Sequence, residues 1–312
     1  MDENKLFKDF KKPDGLLSQV QQQLETFWDC FKCNTKCNRV ALVTSGGTQV
    51  PLEKRQVRFI ENFSTGSRGA SSAEYFLKNQ YFVIYLHRKG CVFPFTKHLL
   101  NLCDGMESFL SCLDVDECSQ KISIQPKNFE KASKSLLEYK QFIAEKRLLA
   151  IPFVTLDEYL FLLKEICVAL KKYTQYALIY LCAAVSDFHL PCDDLYEHKI
   201  PSSQPLVLKL NCVPKMLKLV NKVWCPNAFV VSFKLETNES IVIEKANKAL
   251  STYKHHVVVA NSLEEIRKKV TIVTPSSSTD LTLSCEDVKD GIELESKIVD
   301  ILGKMHVEFI RK

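Results

Sequence analysis

The pattern of apolar and polar positions along this chain changes period several times, and each change marks an element. Leu16, Leu17, Val20, Leu24, Phe27 and Trp28 recur at the spacing of one helical face. They predict a polar, helical leader over residues 1–38 that packs on the main domain. Arg39 to Thr44 (RVALVT) is a short apolar strand running into Ser45-Gly46-Gly47-Thr48. Ser64-Thr65-Gly66-Ser67-Arg68-Gly69 comes next, then a helix through Ala73, Phe76 and Leu77, then a strand at Tyr81 to Leu86 (YFVIYL). Strand, glycine turn, helix and strand in that order open a parallel α/β sheet.

Residues 90–150 interrupt the rhythm and read as an insert, helical from about Asn128 to Leu149. The alternation resumes with a short strand at Phe153-Val154, an amphipathic helix from Leu156 to Leu170 and a buried strand at Ala177 to Ala184 (ALIYLCAA). A polar loop from Val185 to Pro205 leads to a strand at Val207 to Leu210 and a helix opening at Pro214, where the missing N–H of proline costs nothing. Ala228 to Phe233 is a strand, Ile241 to Tyr253 a helix and Val257 to Ala260 a strand. Val270 to Val273 and Leu281 to Leu283 predict a hairpin, and Val288 to Leu302 a closing helix. The expected fold is therefore α/β and Rossmann-like: a mostly parallel, doubly wound sheet with helices on both faces. An inserted helical segment and a C-terminal antiparallel hairpin are added to it. Residues 39–312 form a single domain behind the leader.

Composition narrows the function classes. The chain has 312 residues, 46% apolar and 25% charged, enough for a normal buried core. No run reaches the roughly 18 apolar residues of a spanning helix, and the charged start MDENKLFKDFKKPDG has no apolar signal region. A cytoplasmic address is expected. The net charge of +5 is spread along the chain, so no nucleic-acid arm is expected. The 13 cysteines are odd in number and irregularly spaced, which argues against a disulfide scaffold. Cys30, Cys33 and Cys37 include one metal-type spacing but lack a nearby fourth ligand, so no metal site is expected.

The candidate chemistry sits at the strand exits. TSGGT is not the GxGxxG dinucleotide fingerprint, and the second strand ends in His87-Arg88 rather than in an acidic residue for a ribose. In STGSRG, however, Gly66 and Gly69 open a helix whose free N–H groups and dipole favour an anion, and Ser64 adds a hydroxyl. Between the two turns, PLEKRQVRFIEN must pass over the carboxyl ends of the strands, and it carries Arg55, Arg58 and Asn62. In AAVSDF, Ala183 and Ala184 are small where a strand emerges, and Asp187 stands at the tip. Glu197-His198-Lys199-Ile200 lies in a polar loop with the makings of a mobile lid that brings a cation to a phosphate.

GGTQVPLEKRQVRFIENFSTGSRG, AAVSDF, EHKI, SFKLET and VVVAN resemble, in order, the motifs of phosphopantothenoylcysteine synthetases. The resemblance runs from about Arg39 to the end and is to the free-standing animal form. It implies ligation of 4'-phosphopantothenate to L-cysteine through an acyl-adenylate, in coenzyme A biosynthesis. ATP would be the nucleotide, Mg2+ its counter-ion, and the assembly a homodimer with shared active sites. Residue by residue, it implies that Gly46, Ser64, Gly66 and Gly69 hold nucleotide phosphates and that Phe233 and Asn261 bound the nucleoside. Asn62, Ala183, Ala184 and Asp187 would line the phosphopantothenate pocket, Arg58 would reach the partner's substrate, and Asn62 and Lys199 would be the catalytic pair. After Ile200 the chain continues Pro201-Ser202-Ser203, where bacterial members often carry more lysine.

Two other readings compete. An NAD(P)-dependent oxidoreductase would use Tyr85 and Lys89, which have the Tyr-x-x-x-Lys spacing but straddle a strand end. A non-catalytic nucleotide-binding protein of the same fold would have no need of Asn62 and Lys199 beside the phosphate turns.

Overall fold

The computed structural model describes residues 3–100, 110–203 and 205–312. Residues 101–109 of the expected insert and Gln204 of the expected polar loop lie outside the described residues. The main sheet has eight strands in the order β14-β13-β12-β11-β8-β1-β4-β7. They are β1 Arg39–Ser45, β4 Tyr81–Arg88, β7 Leu148–Phe153, β8 Ala177–Leu181, β11 Phe229–Glu236, β12 Val257–Ser262, β13 Lys269–Val273 and β14 Ser278–Thr282. The six from β7 to β12 pair in parallel, and β13 and β14 add an antiparallel edge. Three short antiparallel pairs complete the strands among the described residues: β2 Gln49–Pro51 with β3 Phe59–Glu61, β5 Leu113–Asp116 with β6 Lys121–Ile124, and β9 Phe188–His189 with β10 Asn211–Cys212.

Alternation along β1 divides the core. Val40 and Leu42 face one apolar layer with Phe82 and Ile84, and Ala41 and Val43 face another with Val83 and Tyr85. Helix α1 (Glu3–Phe7), helix α2 (Asp14–Cys33) and later helix α6 (Leu156–Leu170) cover the first layer. Helix α3 (Ser67–Lys78) and helix α10 (Leu294–Arg311) cover the second. The stripe of α2 buries Leu17, Val20, Leu24, Phe27, Trp28 and Phe31. Phe27 and Phe31 both meet Phe82 of β4, with ring centroids 5.6 and 5.1 Å away. Each such side chain contributes about 1.5–3 kcal/mol as an upper estimate.

In the insert, α4 (Lys97–Leu100) and the β5–β6 pair precede α5 (Pro126–Ala144). The expected helix to Leu149 therefore stops early. Leu148 and Leu149 belong to β7, paired with Val83 and Ile84, because the sheet edge offers their backbones a ladder that a helix end cannot. Helix α6 begins where predicted. Thr155 Oγ1 accepts from Glu158 N (3.2 Å), and the Glu158 carboxylate accepts from Val154 N (2.6 Å) and Thr155 N (3.3 Å).

Three other expectations are corrected. Val207 to Leu210 is not a strand; β10 is Asn211–Cys212, paired with β9. The helix after Pro214 opens later, as α7 (Leu217–Leu219), which runs into a π-type turn at Val220–Trp224. After α8 (Glu239–Tyr253), the closing helix is split into α9 (Cys285–Lys289) and α10, because Gly291 takes a φ of +68° between them.

One buried polar chain ties α10 to the sheet. His306 is fully buried; its Nε2 donates to Gln175 O (2.8 Å), so its Nδ1 accepts from Tyr81 OH (2.9 Å). Arg39 Nη1 in turn donates to Tyr81 OH (3.2 Å). Burial and the Arg39 charge push His306 down to about 4, and burial does the same to His255. Both imidazoles are neutral in the folded protein but titrate near 6.5 when unfolded, so unfolding takes up protons. Their contribution is complete above pH 6.5 and is lost as pH falls from 6.5 towards 4. A His306→Gln variant removes one of these protons. Its stability difference from wild type, measured by urea unfolding, should shrink by up to about 1.4 kcal/mol per pH unit across that window. A difference that stays constant with pH would refute the neutral-histidine account.

Candidate active site

The strand order reverses at β1. The chain moves from β1 to β4 and β7 on one side, and α6 then carries it back to β8 on the other. In open α/β sheets, ligands bind at the carboxyl ends of strands at such a point. Here the two strand exits are laced together. Ala184 N donates to Gly46 O (2.8 Å), Thr48 N to Ala184 O (3.3 Å) and Ala183 N to Thr44 Oγ1 (3.1 Å). Ser186 N donates to Thr48 Oγ1 (3.0 Å). Gly46, Ala183 and Ala184 are thus brought to one place, with both alanines half-buried.

The amino end of α3 is set on the same strand exit. Ser45 Oγ donates to Gly66 O (2.9 Å), and Ser64 Oγ accepts from Gly66 N (3.3 Å), which leaves the Ser64 hydroxyl hydrogen for another partner. A Cβ at Gly69 would lie 2.4 Å from Ser45 Oγ, so only glycine lets the helix start this close to the strand. The N-cap Gly66 has no side chain to cap α3, and apart from Ser67 N, which donates to Thr65 Oγ1 (3.4 Å), the N–H groups of the first turn and the dipole remain available to an anion. Beneath the turn lie Cys91, Tyr85 and Cys182. Burial pushes the Cys182 thiol up to about 12 and the Cys91 thiol upward, so neither supplies a thiolate nucleophile near neutrality. Tyr85 is buried with its hydroxyl donated to Val92 O (3.0 Å), which takes it out of the role an oxidoreductase would require.

The β2–β3 pair carries Asn62 to this crevice. A Cβ at Gly47 would lie 2.0 Å from Asn62 O, so the Asn62 backbone rests directly against the first glycine turn. Glu61 fixes the approach: it pairs with Arg88 Nε (3.3 Å) and accepts from Gln49 Nε2 (3.0 Å). The half-buried Asn62 amide has no hydrogen-bond partner among the described residues, and Phe63 beside it is 94% exposed. Asp187 is exposed and paired with Lys215. Phe233 lies within β11, its ring 4.8 Å from that of Tyr180, and Asn261 is buried near the end of β12, opposite Leu235.

The expected lid is held more firmly than its polarity suggested. Lys54 N donates to Tyr196 O (2.8 Å), and Lys54 Nζ meets Glu197 (3.0 Å). Ile200 is buried, its N–H donated to Glu53 Oε1 (3.3 Å) and its carbonyl accepting from Arg58 Nη1 (3.2 Å). Arg58 is thereby engaged within the chain by Glu53 and Ile200. Lys199 is exposed, with no ion pair among the described residues. The residue that sequence reasoning missed is Glu53: a lone glutamate in a loop has no pattern to mark it, and only the fold shows it to be fully buried. No group of three or more His, Cys, Asp or Glu among the described residues could hold a metal ion.

Residues 164–297 match the family of the DNA/pantothenate metabolism flavoprotein C-terminal domain. A phosphopantothenate–cysteine ligase from Mus musculus is 46% identical over 277 residues, covering 87% of this chain and 88% of that protein. Phosphopantothenate–cysteine ligase 1 from Arabidopsis thaliana is 40% identical over 97% of this chain and 92% of its own length. A solved Cab2 mutant in complex with phosphopantothenate-cysteine superposes with a TM-score of 0.86 at 34% identity, covering 99% of this chain and 98% of that one. On these relatives, which match it over most of its length, the chain belongs to the phosphopantothenate–cysteine ligase family.

Proposed function

We propose that this protein joins 4'-phosphopantothenate to L-cysteine in coenzyme A biosynthesis, with MgATP as the activating nucleotide. The observation that carries this reading is the junction of the uncapped amino end of α3 with the β1–β8 crevice, beside the uncommitted amide of Asn62. The names of the relatives give the substrates. A carboxylate does not condense with an amine at neutral pH, because its oxygen leaves poorly. In the first step a carboxylate oxygen bonds to the α-phosphorus and the bond to pyrophosphate breaks. In the second, the cysteine nitrogen bonds to the acyl carbon, the bond to AMP breaks and the amine gives up a proton. Negative charge accumulates on phosphate and acyl oxygens in both steps, so positioned donors matter most.

In this reading Gly46, Ser64, Gly66 and Gly69 hold the phosphates, and Phe233 and Asn261 bound the nucleoside. Ala183, Ala184 and Asp187 line the phosphopantothenate pocket. Asn62 donates to the acyl oxygen, and Lys199 neutralises phosphate charge from the lid. Mg2+ enters with the nucleotide, held by phosphate oxygens and water. A cytoplasmic setting suits the free thiols at Cys30, Cys33, Cys37 and elsewhere. No helix among the described residues is long and apolar enough to cross a membrane. A homodimer suits the apolar groups exposed on and just after the β2–β3 pair, Val57 (54%), Phe59 (47%) and Phe63 (94%), with Arg58 among them reaching the partner's substrate.

Asn62→Asp replaces an amide donor with an anion of nearly equal size. It should cost about 3–4 kcal/mol in the transition state, several hundredfold in turnover, while the thermal midpoint stays put. Cysteine-dependent pyrophosphate release from MgATP measures it, and turnover within twofold of wild type rejects the role.

Lys199→Gln removes a point charge from an exposed position and should lower kcat at least tenfold with little change in thermal stability. An unchanged kcat would leave Lys199 as an ordinary surface residue.

A Val57→Asp/Phe59→Asp double variant should sediment as a monomer where wild type sediments as a dimer. Monomeric wild-type protein at micromolar concentration would end the dimer proposal.

A further inference from the structure

The turn between β2 and β3 closes on itself, with Leu52 N donating to Arg58 O (2.9 Å) and Gln56 N to Glu53 O (2.9 Å). Inside it lies the Glu53 carboxylate, with none of its side chain exposed. Its Oε2 accepts from Arg58 N (2.8 Å), and its Oε1 accepts from Arg58 Nη1 (2.8 Å) and from Ile200 N (3.3 Å). Burial pushes this carboxyl up, and the hydrogen bonds from Arg58 and Ile200 more than offset that, so it stays ionised. Only an anion with two oxygens satisfies this set of donors at once.

The consequence falls on the residues next to the bracket. Ile200 is pinned at both N–H and carbonyl, and Tyr196 is pinned by Lys54 N, so Glu197, His198 and Lys199 are exposed between two fixed points. Consecutive Cα atoms are about 3.8 Å apart, so the root of Lys199 moves only as far as Ile200 allows. The same carboxylate holds the guanidinium of Arg58, whose side chain is 36% exposed. We infer that Glu53 is a positioning residue for the ligation: one buried carboxylate sets the place of the Lys199 cation and of Arg58 together. The inference rests on the assignment of Lys199 proposed above. It goes further in making the lid and the β2–β3 turn a single unit.

The test is a double-mutant cycle with a local structural readout. Glu53→Gln is isosteric but loses the charge and one acceptor oxygen. It should lower kcat at least tenfold while KM for cysteine stays within twofold, and Glu53→Asp should recover part of the loss. In a Lys199→Gln background, the same Glu53→Gln change should cost at least threefold less than in wild type, the remainder being the part carried by Arg58. Amide exchange at Ile200 should quicken at least tenfold in Glu53→Gln, with exchange in the central strands unchanged. Equal losses in both backgrounds would mean that Glu53 does not act through Lys199 and would overturn the inference. So would unchanged protection at Ile200. If Lys199→Gln alone keeps wild-type turnover, the assignment of Lys199 fails separately, and the bracket is then judged on the Ile200 exchange result.

Discussion

The structure depends on the lacing of two parallel strand exits. Gly46 O, Ala184 N and O, and the hydroxyls of Thr44 and Thr48 bind the ends of β1 and β8 to each other just beyond the last regular ladder bonds. Chain reversal at β1 would otherwise leave a gap between crossovers on opposite faces. Satisfied in this way, the gap becomes a rigid rim rather than a frayed edge. The amino end of α3 is fixed to that rim through Ser45 and the missing Cβ of Gly69. The open end of a helix and the β1–β8 crevice therefore share one wall.

A second layer of control comes from two paired carboxylates, Glu53 buried and Glu61 exposed. Glu53 and Glu61 both sit in the β2–β3 arm, and each ties it to a different neighbour: Glu61 to Arg88 at the end of β4, Glu53 to Ile200 in the lid loop. A buried carboxylate gains little net stability, because desolvation consumes most of the Coulombic return. What such groups add is definition, since each accepts bonds that a displaced arm could not supply. The thiols under the turn act differently. With their pKa values raised by burial, Cys91 and Cys182 serve as packing and leave the chemistry to groups above them.

Much of this was legible in advance. The strands of β1, β4, β11 and β12 and helix α6 stood out because their periodicity and capping agree with the tertiary outcome. The errors have physical causes. Leu148 and Leu149 follow a strong helical run, yet the edge of β4 claims their backbone. Val207 to Leu210 has strand-like residues but no neighbouring edge to pair with, so the ladder forms at Asn211 and Cys212 instead. The loop at Lys199 looked free because its side chains are polar. Its restraint comes from backbone groups, whose partners a sequence does not display.

By itself, the sequence determined the class of fold, the two glycine turns and the helix that starts at the second, because these follow from local period and from residues with special backbone freedom. Its motif order pointed to the family that the relatives establish. Tertiary structure alone decided that Asn62 rests against Gly47, that Asp187 is matched by Lys215, and that Glu53 reaches across 147 positions of chain to Ile200. Those are pairings between residues far apart in sequence. They are set by how the layers close, which no local pattern of apolar and polar positions encodes.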